Sequence, residues 1–118
     1  MRPHRHVLIV DDDPAVRLVN QALAREAGLV PVAASDGTEA VELVAEGLRP
    51  DLVVTDLEMP GLDGVGLLGE LERMRASTLS IMFSSGTRPA RNGGADLWLS
   101  KGNPTALRIA LREFAAAP

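Results

Sequence analysis

Short apolar runs alternate along the chain with longer stretches in which apolar residues recur every three or four positions. The short runs are rich in β-branched residues and have the length of strands that are buried on both faces. They cover residues 6–10, 29–34, 51–55, 80–84 and 97–100. Because strands and helices alternate, the pattern predicts an α/β fold in which helices cover both faces of one parallel sheet.

Capping residues indicate where the intervening helices begin and end. The predicted N-caps, whose side chains accept hydrogen bonds from free main-chain N–H groups, are Asp13, Asp36, Asp63 and Asn103. Pro14 and Pro104 follow two of these caps and suit the first helical position, where the missing N–H does no harm. Gly28 and Gly47 stand where the first two helices should end.

Two of the helices have a clear apolar face, and one segment has almost no room for a helix. The face of the first helix is predicted to contain Leu18, Val19, Ala22 and Leu23. The face of the last helix is predicted to contain Leu107, Ala110, Leu111 and Phe114. In the segment 86–95, Pro89 and Gly93-Gly94 leave space for about one helical turn. We therefore expect the fourth helix to be shortened or missing.

The composition is that of one soluble globular domain over residues 1–118. Apolar residues make up 46% of the chain and charged residues 24%, a balance that argues against disorder. The net charge of −4 and the scattered basic residues argue against direct binding to nucleic acid. The chain contains no cysteine and no apolar run long enough to cross a bilayer. We therefore expect a cytoplasmic protein without membrane association.

Polar residues collect where the predicted strands end. These residues are Asp11, Asp12, Thr55, Asp56, Ser84, Ser85, Ser100 and Lys101. Since parallel strands all end at one edge of the sheet, three carboxylates, several hydroxyls and one ammonium should converge there. Clustered carboxylates are costly unless a cation lies among them, and Mg²⁺ is typically bound by one or two carboxylates together with phosphate oxygens. One carboxylate would remain as a nucleophile, with the lysine and the hydroxyl holding phosphoryl oxygens.

Three motifs carry a resemblance to a known family. They are VLIVDDDP at residues 7–14, PDLVVTDLEMPGLDG at residues 50–64 and SKG at residues 100–102. Over essentially its whole length, the chain resembles the receiver domain of two-component response regulators. The resemblance implies a flavodoxin-like, doubly wound sheet of five parallel strands in the order 2-1-3-4-5. Because the sequence ends just after the last predicted helix, we expect either a stand-alone receiver or a fragment of a longer protein.

The resemblance assigns roles around a divalent ion. It implies that Asp56 accepts the phosphoryl group and contacts Mg²⁺, for which Mn²⁺ would substitute. Asp12 would be a direct ligand of the ion, whereas Asp11 would act through water or a hydrogen bond. Glu58 would offer its backbone carbonyl to the same ion.

Other matched positions surround the phosphoryl group. The resemblance implies that Ser85 bonds one phosphoryl oxygen and that Lys101 pairs with another. Gly86 matches the small residue beside the phosphoryl site, and Thr87 falls where access to that site would be controlled. Trp98 stands at the aromatic switch position, three residues before the lysine, where Tyr or Phe is usual.

The chain also departs from the family pattern in three places. Gly102 follows Lys101 where the family usually has proline, so we expect a more mobile loop there. Trp98 is large for a side chain that must rotate inward. The fourth helix is short, although in the family the face formed by helix 4, strand 5 and helix 5 commonly carries dimer or partner contacts. We therefore do not expect the usual output mechanism.

The function predicted from these residues is that of a phosphoacceptor module in a two-component phosphorelay. A histidine kinase or a histidine phosphotransfer protein would donate the phosphoryl group to Asp56. The added charge would change protein–protein contacts of a monomer or weak dimer. The domain would catalyse only its own phosphorylation and dephosphorylation.

Two other functions fit the same residues. One is a pseudo-receiver, an interaction module that keeps the acidic cluster but does not switch. The other is a phosphohydrolase with an aspartate nucleophile, similar to haloacid-dehalogenase-like phosphatases. In those enzymes a second aspartate follows two residues later, whereas here that position is Glu58, and no cap domain is expected. Single positions also have simpler interpretations. The alternative for Lys101 is an ordinary surface lysine, and the alternative for Ser85 and Thr87 is a plain loop residue.

Overall fold

The structure is a computed structural model, and it describes residues 5–76 and 78–118. Its elements are, in chain order, β1 (His6–Val10), α1 (Pro14–Glu26), β2 (Val30–Ala34), α2 (Gly37–Ala45), β3 (Leu52–Thr55), α3 (Gly64–Arg73), β4 (Leu79–Ser84), a 3₁₀ turn (Ala90–Gly94), β5 (Leu97–Ser100) and α4 (Pro104–Ala116). Each predicted strand is therefore present, with bounds that differ by at most one residue from the apolar runs.

The five strands form one parallel sheet in the order β2-β1-β3-β4-β5, which confirms the predicted flavodoxin-like arrangement. Val10 at the end of β1 pairs with Thr55 at the end of β3. Ser84 at the end of β4 pairs with Ser100 at the end of β5. The residues that follow these strands consequently emerge along one edge of the sheet.

Helices cover both faces of the sheet, and strand residues alternate between two apolar clusters. The cluster under α1 and α4 contains the buried residues Val7, Ile9, Leu23, Ala24, Leu29, Leu52, Val54, Ile81, Phe83, Leu107 and Leu111. The cluster under α2 and α3 contains Leu8, Val10, Ala34, Ala40, Val44, Val53, Met59, Leu67 and Leu71. Because β1 and β3 contribute to both clusters, they are buried on both faces, as their unbroken apolar sequences predict.

The prediction of two buried faces is wrong for the outer strands β2 and β5. In β2 only Ala34 is buried, and in β5 every residue is half-buried or exposed. Both strands lie at the edges of the sheet, so each has a neighbouring strand on one side only. The helices packed over the middle of the sheet shield such edge strands incompletely.

The predicted apolar face of α1 is also wrong. Of its four residues only Leu23 is buried, whereas Leu18 and Val19 are 67% and 53% exposed. The side facing the sheet comprises Val16, Asn20, Leu23, Ala24 and Ala27. These positions recur with the helical period, but one of them is the polar Asn20, so a search for apolar residues alone chose a face rotated away from the true one. The predicted face of α4 is confirmed, since Leu107 and Leu111 are fully buried.

All four predicted N-caps are confirmed. A side-chain oxygen of Asp13, Asp36, Asp63 and Asn103 accepts a hydrogen bond from Ala15, Glu39, Gly66 and Ala106 respectively. Gly28 and Gly47 follow α1 and α2 with φ of 85° and 121°, the left-handed backbone that ends a helix. No helix within the described part of the chain has the length and apolar character needed to cross a membrane.

Between β4 and β5 the chain forms only a 3₁₀ turn, in agreement with the expected shortening. Arg91, Asn92 and Gly93 at its centre have left-handed backbone, with φ of 52°, 56° and 63°. Left-handed backbone costs about 1–2 kcal/mol for a residue other than glycine. Arg88 supports the turn, because its Nε donates a hydrogen bond to Asn92 Oδ1 at 2.7 Å.

Two glycines of α3 should respond in opposite ways to alanine. A Cβ on Gly64 would lie 2.3 Å from the backbone oxygen of Asp56, whereas a Cβ on Gly69 would meet no atom within 4 Å. We expect Gly64→Ala to lower the free energy of unfolding by roughly 2 kcal/mol or more, since backbone atoms must shift. Gly69→Ala should raise it by about 0.5–1 kcal/mol through helix propensity. Urea unfolding of both variants measures this, and equal effects would contradict it.

Candidate functional site

The site begins where β1 and β3 end. The main-chain N–H of Asp56 donates to the carbonyl of Val10 at 3.0 Å, which holds the two strand ends side by side. Asp11 and Asp56 are therefore the first residues beyond paired strand ends, and both are buried. Burial of two neighbouring carboxylates is unfavourable unless a cation compensates them.

Lys101 supplies that compensation in the structure. Its main-chain N–H donates to the carbonyl of Ser84 at 3.0 Å, so the ladder between β4 and β5 extends to the lysine. Its Nζ lies 2.8 Å from Asp11 Oδ2 and 3.0 Å from Asp56 Oδ2. One ammonium thus bridges the carboxylates that follow β1 and β3.

Main-chain and side-chain donors hold the two carboxylates in place. Asp11 Oδ1 accepts from the N–H of Asp13 at 2.9 Å, and Asp56 Oδ1 accepts from the N–H of Leu57 at 2.8 Å. The Arg17 guanidinium donates to the carbonyl of Asp11 at 2.8 Å. Sequence reasoning gave Arg17 no role, although its position one turn into α1 brings it back to the strand end.

Asp12 completes an acidic cluster. Carboxylate oxygens of Asp11, Asp12 and Asp56 lie within 4.8 Å of one another, and Asp12 is exposed. Among the described residues, Asp12 makes no hydrogen bond or ion pair. One ammonium cannot neutralise three carboxylates, so the cluster keeps an excess of negative charge. Hard oxygen donors in this number fit a divalent cation such as Mg²⁺.

Burial and ion pairing act on the pKa values of the bridged groups. Burial raises the pKa of Asp11 above its ordinary value of 3.8, although the Lys101 ammonium and the Asp13 N–H favour the carboxylate. For Lys101, burial acts to lower the pKa, but contacts with Asp11 and Asp56 outweigh it and the pKa is raised. Lys101 therefore stays charged while ionised Asp11 bears a desolvation cost.

The hydroxyls at the end of β4 differ in their surroundings. Ser84 is buried, its carbonyl binds the Lys101 N–H, and its Oγ accepts from the Gly86 N–H at 3.3 Å. Ser85 and Thr87 are exposed. Sequence reasoning preferred Ser85, whereas the fixed strand-end position belongs to Ser84. Strand alternation is the signal that could have found it, because Ser84 lies on the same face as Met82.

Glu58 and Trp98 lie outside the ion-paired cluster. Glu58 is exposed, and a Cβ on Gly86 would lie 3.6 Å from its Oε1, so the loops after β3 and β4 approach each other there. Trp98 is half-buried in β5 and pairs in register with Met82. Its ring N–H is buried and has no acceptor among residues 5–76 and 78–118.

The family model for the response regulator receiver domain matches residues 7–111. The chain therefore belongs to the receiver domains of response regulators, and its acidic cluster is typical of their phosphoacceptor site. It is 37% identical to the transcriptional regulatory protein PdtaR of Mycobacterium tuberculosis over 102 residues, which cover 82% of the chain and 49% of that protein. It is 36% identical to the nitrate/nitrite response regulator protein NarL of Escherichia coli, covering 93% of the chain and 54% of NarL. The chain thus spans about half the length of these curated relatives.

Solved structures agree with this family. The chemotaxis protein CheY4 of Vibrio cholerae superposes with a TM-score of 0.81 at 28% identity, covering 94% of this chain and 98% of that one. The response regulator protein TrrA of Thermotoga maritima, solved in complex with Mg²⁺–BeF, superposes with a TM-score of 0.81 at 26% identity, covering 92% and 97%. The Mg²⁺ in that relative is consistent with divalent metal binding at an acidic cluster of this kind.

The raised pKa of Asp11 predicts a specific pH dependence of stability in metal-free buffer. Above pH 3.8 the folded protein retains the Asp11 proton longer than the unfolded chain does, so the free energy of unfolding falls as pH rises through this window. Asp11→Asn cannot ionise and should gain stability relative to the wild type across the same window. Urea unfolding with EDTA from pH 3 upwards measures the difference. Glu113→Gln, which removes an exposed carboxylate of α4, is the control, and a pH-independent difference for Asp11→Asn would contradict the prediction.

Proposed function

We propose that residues 1–118 act as a single receiver domain that accepts a phosphoryl group on Asp56 with the help of Mg²⁺. The observation that carries this proposal is the bridge of Lys101 between Asp11 and Asp56, with Asp12 beside it. Phosphoryl transfer requires a carboxylate nucleophile, a cation that pairs with phosphoryl oxygens, and further carboxylates that bind the metal.

The metal would be held by the strand-end carboxylates. Asp12 and Asp56 would be ligands, Asp11 would act through water or a hydrogen bond, and Glu58 would add its backbone carbonyl. Mg²⁺, or Mn²⁺ in its place, supplies neutralisation of the charge on the transferred phosphoryl oxygens. The exposed carboxylate of Asp12 is already free of internal partners and needs no bond broken to bind.

The chain's own residues would divide the remaining work. A carboxylate oxygen of Asp56 attacks phosphorus, the bond from phosphorus to the donor's histidine nitrogen breaks, and that nitrogen keeps the electron pair. Lys101, already charged, exchanges part of its contact with Asp56 for a phosphoryl oxygen. The Ser85 hydroxyl would bond another phosphoryl oxygen, and the buried position of Ser84 makes it the competing donor. Gly86 and Thr87 would leave the approach to the phosphoryl group open.

Signalling would follow from the added charge. Phosphorylation replaces the single negative charge of the Asp56 carboxylate with a phosphoryl group that carries about 1.5–2 negative charges at neutral pH, and this alters the local electrostatics that set a two-state surface. Receiver domains interact with histidine kinases or phosphotransfer proteins, and we propose such a donor for this chain. The domain would act in the cytoplasm as a monomer or weak dimer, turn over no external substrate, and bind neither nucleic acid nor membrane directly.

The first experiment is phosphorylation by acetyl phosphate. We expect one phosphoryl adduct in the intact mass of the wild type with Mg²⁺, little or none with EDTA, and none in Asp56→Asn. Lys101→Met should slow adduct formation by at least about tenfold, because a charged phosphoryl contact of about 1.4 kcal/mol or more is lost.

Urea unfolding of the protein with and without Mg²⁺ shows whether a missing adduct reflects an unfolded protein or one that does not bind the metal. A folded protein that binds Mg²⁺ but forms no adduct would overturn the phosphoacceptor role and favour the non-switching pseudo-receiver. The short turn between β4 and β5 is the observation that favours this second candidate. Steady hydrolysis of a generic phosphate ester would instead support a phosphohydrolase.

The exposed face of α1 is the surface we propose for the phosphodonor. Leu18 and Val19 are unusually exposed for large aliphatic residues. Val19 also lines a small apolar pocket of about 220 Å³ with Ala15, Lys101 and Pro104. Lys101 lines this pocket and is also ion-paired with Asp11 and Asp56. A protein bound on α1 would therefore lie next to Asp56.

This surface predicts a separation between protein and small-molecule donors. Leu18→Asp should slow phosphoryl transfer from a histidine phosphotransfer protein by roughly tenfold or more, the cost of burying a charge at an apolar contact. Acetyl phosphate should still label the variant at the wild-type rate, since it needs no docking surface. Leu79→Asp is the matched control, because Leu79 is 52% exposed but begins β4 at the opposite edge of the sheet. Equal loss with both donors would contradict the docking role.

A further inference from the structure

The short connection between β4 and β5 leaves part of one sheet face without a covering helix. α2 and α3 pack over β1 and β3 on this face, whereas the next crossover consists only of the 3₁₀ turn. A groove of about 470 Å³ remains between α3 and that turn. Its lining includes Val65, Leu68, Gly69 and Glu72 of α3, with Gly94 and Asp96 opposite.

The strand residues beneath this part of the face are suited to a groove that is open to water. Ile81 and Phe83 of β4 belong to the cluster under α1 and α4. The alternate positions Ser80 and Met82 therefore face the α3 side, and a Cβ on Gly64 of α3 would indeed lie 2.8 Å from Met82 Sδ. A serine at the floor of the groove does not require an apolar cover, so the groove can be empty in the isolated protein and filled reversibly.

No contact within the described structure excludes a side chain at position 69. A Cβ on Gly66 in the same helix would lie 2.6 Å from Leu62 Cδ1, but a Cβ on Gly69 would meet nothing within 4 Å. A glycine inside a helix costs about 1 kcal/mol relative to alanine. Its use at a groove wall is explained if another backbone approaches closely there.

The charged residues that line the groove favour an occupant with positive charge. Among the described residues, the charged ones that line it are Glu72 and Asp96, and none is a lysine or arginine. Asp96 Oδ2 accepts from the N–H of Ser80 at 2.9 Å, but neither carboxylate forms an ion pair within the described chain. Glu70, by contrast, is paired with Arg73 of the same helix. Two uncompensated carboxylates beside an apolar wall favour a partner with a basic residue.

We propose that this groove binds a short helix of a partner protein, which presents small and apolar residues to Val65 and Gly69 and a lysine or arginine to Glu72 and Asp96. A helix is favoured over an extended segment because the groove lies where a right-handed crossover between β4 and β5 would place one. From Val65 to Glu72 the wall is about 10 Å long, or two helical turns. The inference goes beyond the phosphoacceptor proposal and does not rest on it.

The test uses the full chain labelled with ¹⁵N and a synthetic probe peptide. The probe is an alanine-based helix of about 16 residues, long enough to be helical in water, with leucine and arginine on one face. A second peptide carries glutamate in place of arginine. We expect saturable shifts of amide signals from residues 65–72, 78–80 and 93–96 with the arginine peptide, and none with the glutamate peptide.

Variants of the protein separate groove filling from loss of fold. Gly69→Gln should abolish the shifts, because it fills the groove with a polar, helix-favouring side chain whose Cβ would have no described atom within 4 Å. Glu72→Lys should weaken binding about 2- to 5-fold or more, the range expected for a surface ion pair. Glu113→Lys makes the same charge change on the exposed side of α4 and should leave binding unchanged.

Three results would overturn the proposal. The first is absence of saturable shifts at millimolar arginine peptide, or shifts confined to other surfaces. The second is unchanged binding by folded Gly69→Gln. The third is self-association of the unliganded chain that Gly69→Gln abolishes, which would make a second copy the occupant of the groove.

Discussion

The ion pairs of Lys101 with Asp11 and Asp56 are the interaction on which the arrangement of the site depends. The lysine follows β5, yet its ammonium crosses β4 to reach carboxylates that follow β1 and β3. Without that charge, two buried carboxylates would face each other across adjacent strand ends, at a cost that burial increases. With it, the three strand ends are held together, and the raised pKa of the lysine shows that the carboxylates more than offset its own desolvation.

The same arrangement fits the phosphoryl chemistry proposed for the site better than a purely stabilising role. The cluster retains more negative than positive charge, and its exposed member, Asp12, has no internal partner. A protein that needed only stability would do better with fewer carboxylates at this edge. This excess of negative charge is what a bound divalent cation would balance.

The turn between β4 and β5 gives this receiver a surface of its own. It occupies the place of a crossover helix with five residues, four of them with positive φ, and it leaves the wall of α3 uncovered. Ser80 of β4 lies buried at the floor of the groove, and Gly69 adds no side chain to its wall. The acidic site and this groove lie towards opposite ends of β4, since Ser84 adjoins the site and Ser80 lines the groove. The proposed phosphoryl chemistry and partner contact would therefore use different parts of one strand.

The sequence by itself determined the five strands, the four caps, the strand order through the family motifs, and the residues gathered at the carboxyl edge. These features depend on local chemistry, because a cap, a turn glycine or an aspartate after an apolar run acts within a few residues. Only the tertiary structure decided which side of α1 is buried, how far the edge strands are covered, and that Ser84 rather than Ser85 is held at the strand end. Those features depend on how elements distant in the chain pack together: Asn20 is buried because the sheet lies beneath it, and β2 and β5 are partly exposed because no strand lies beyond them.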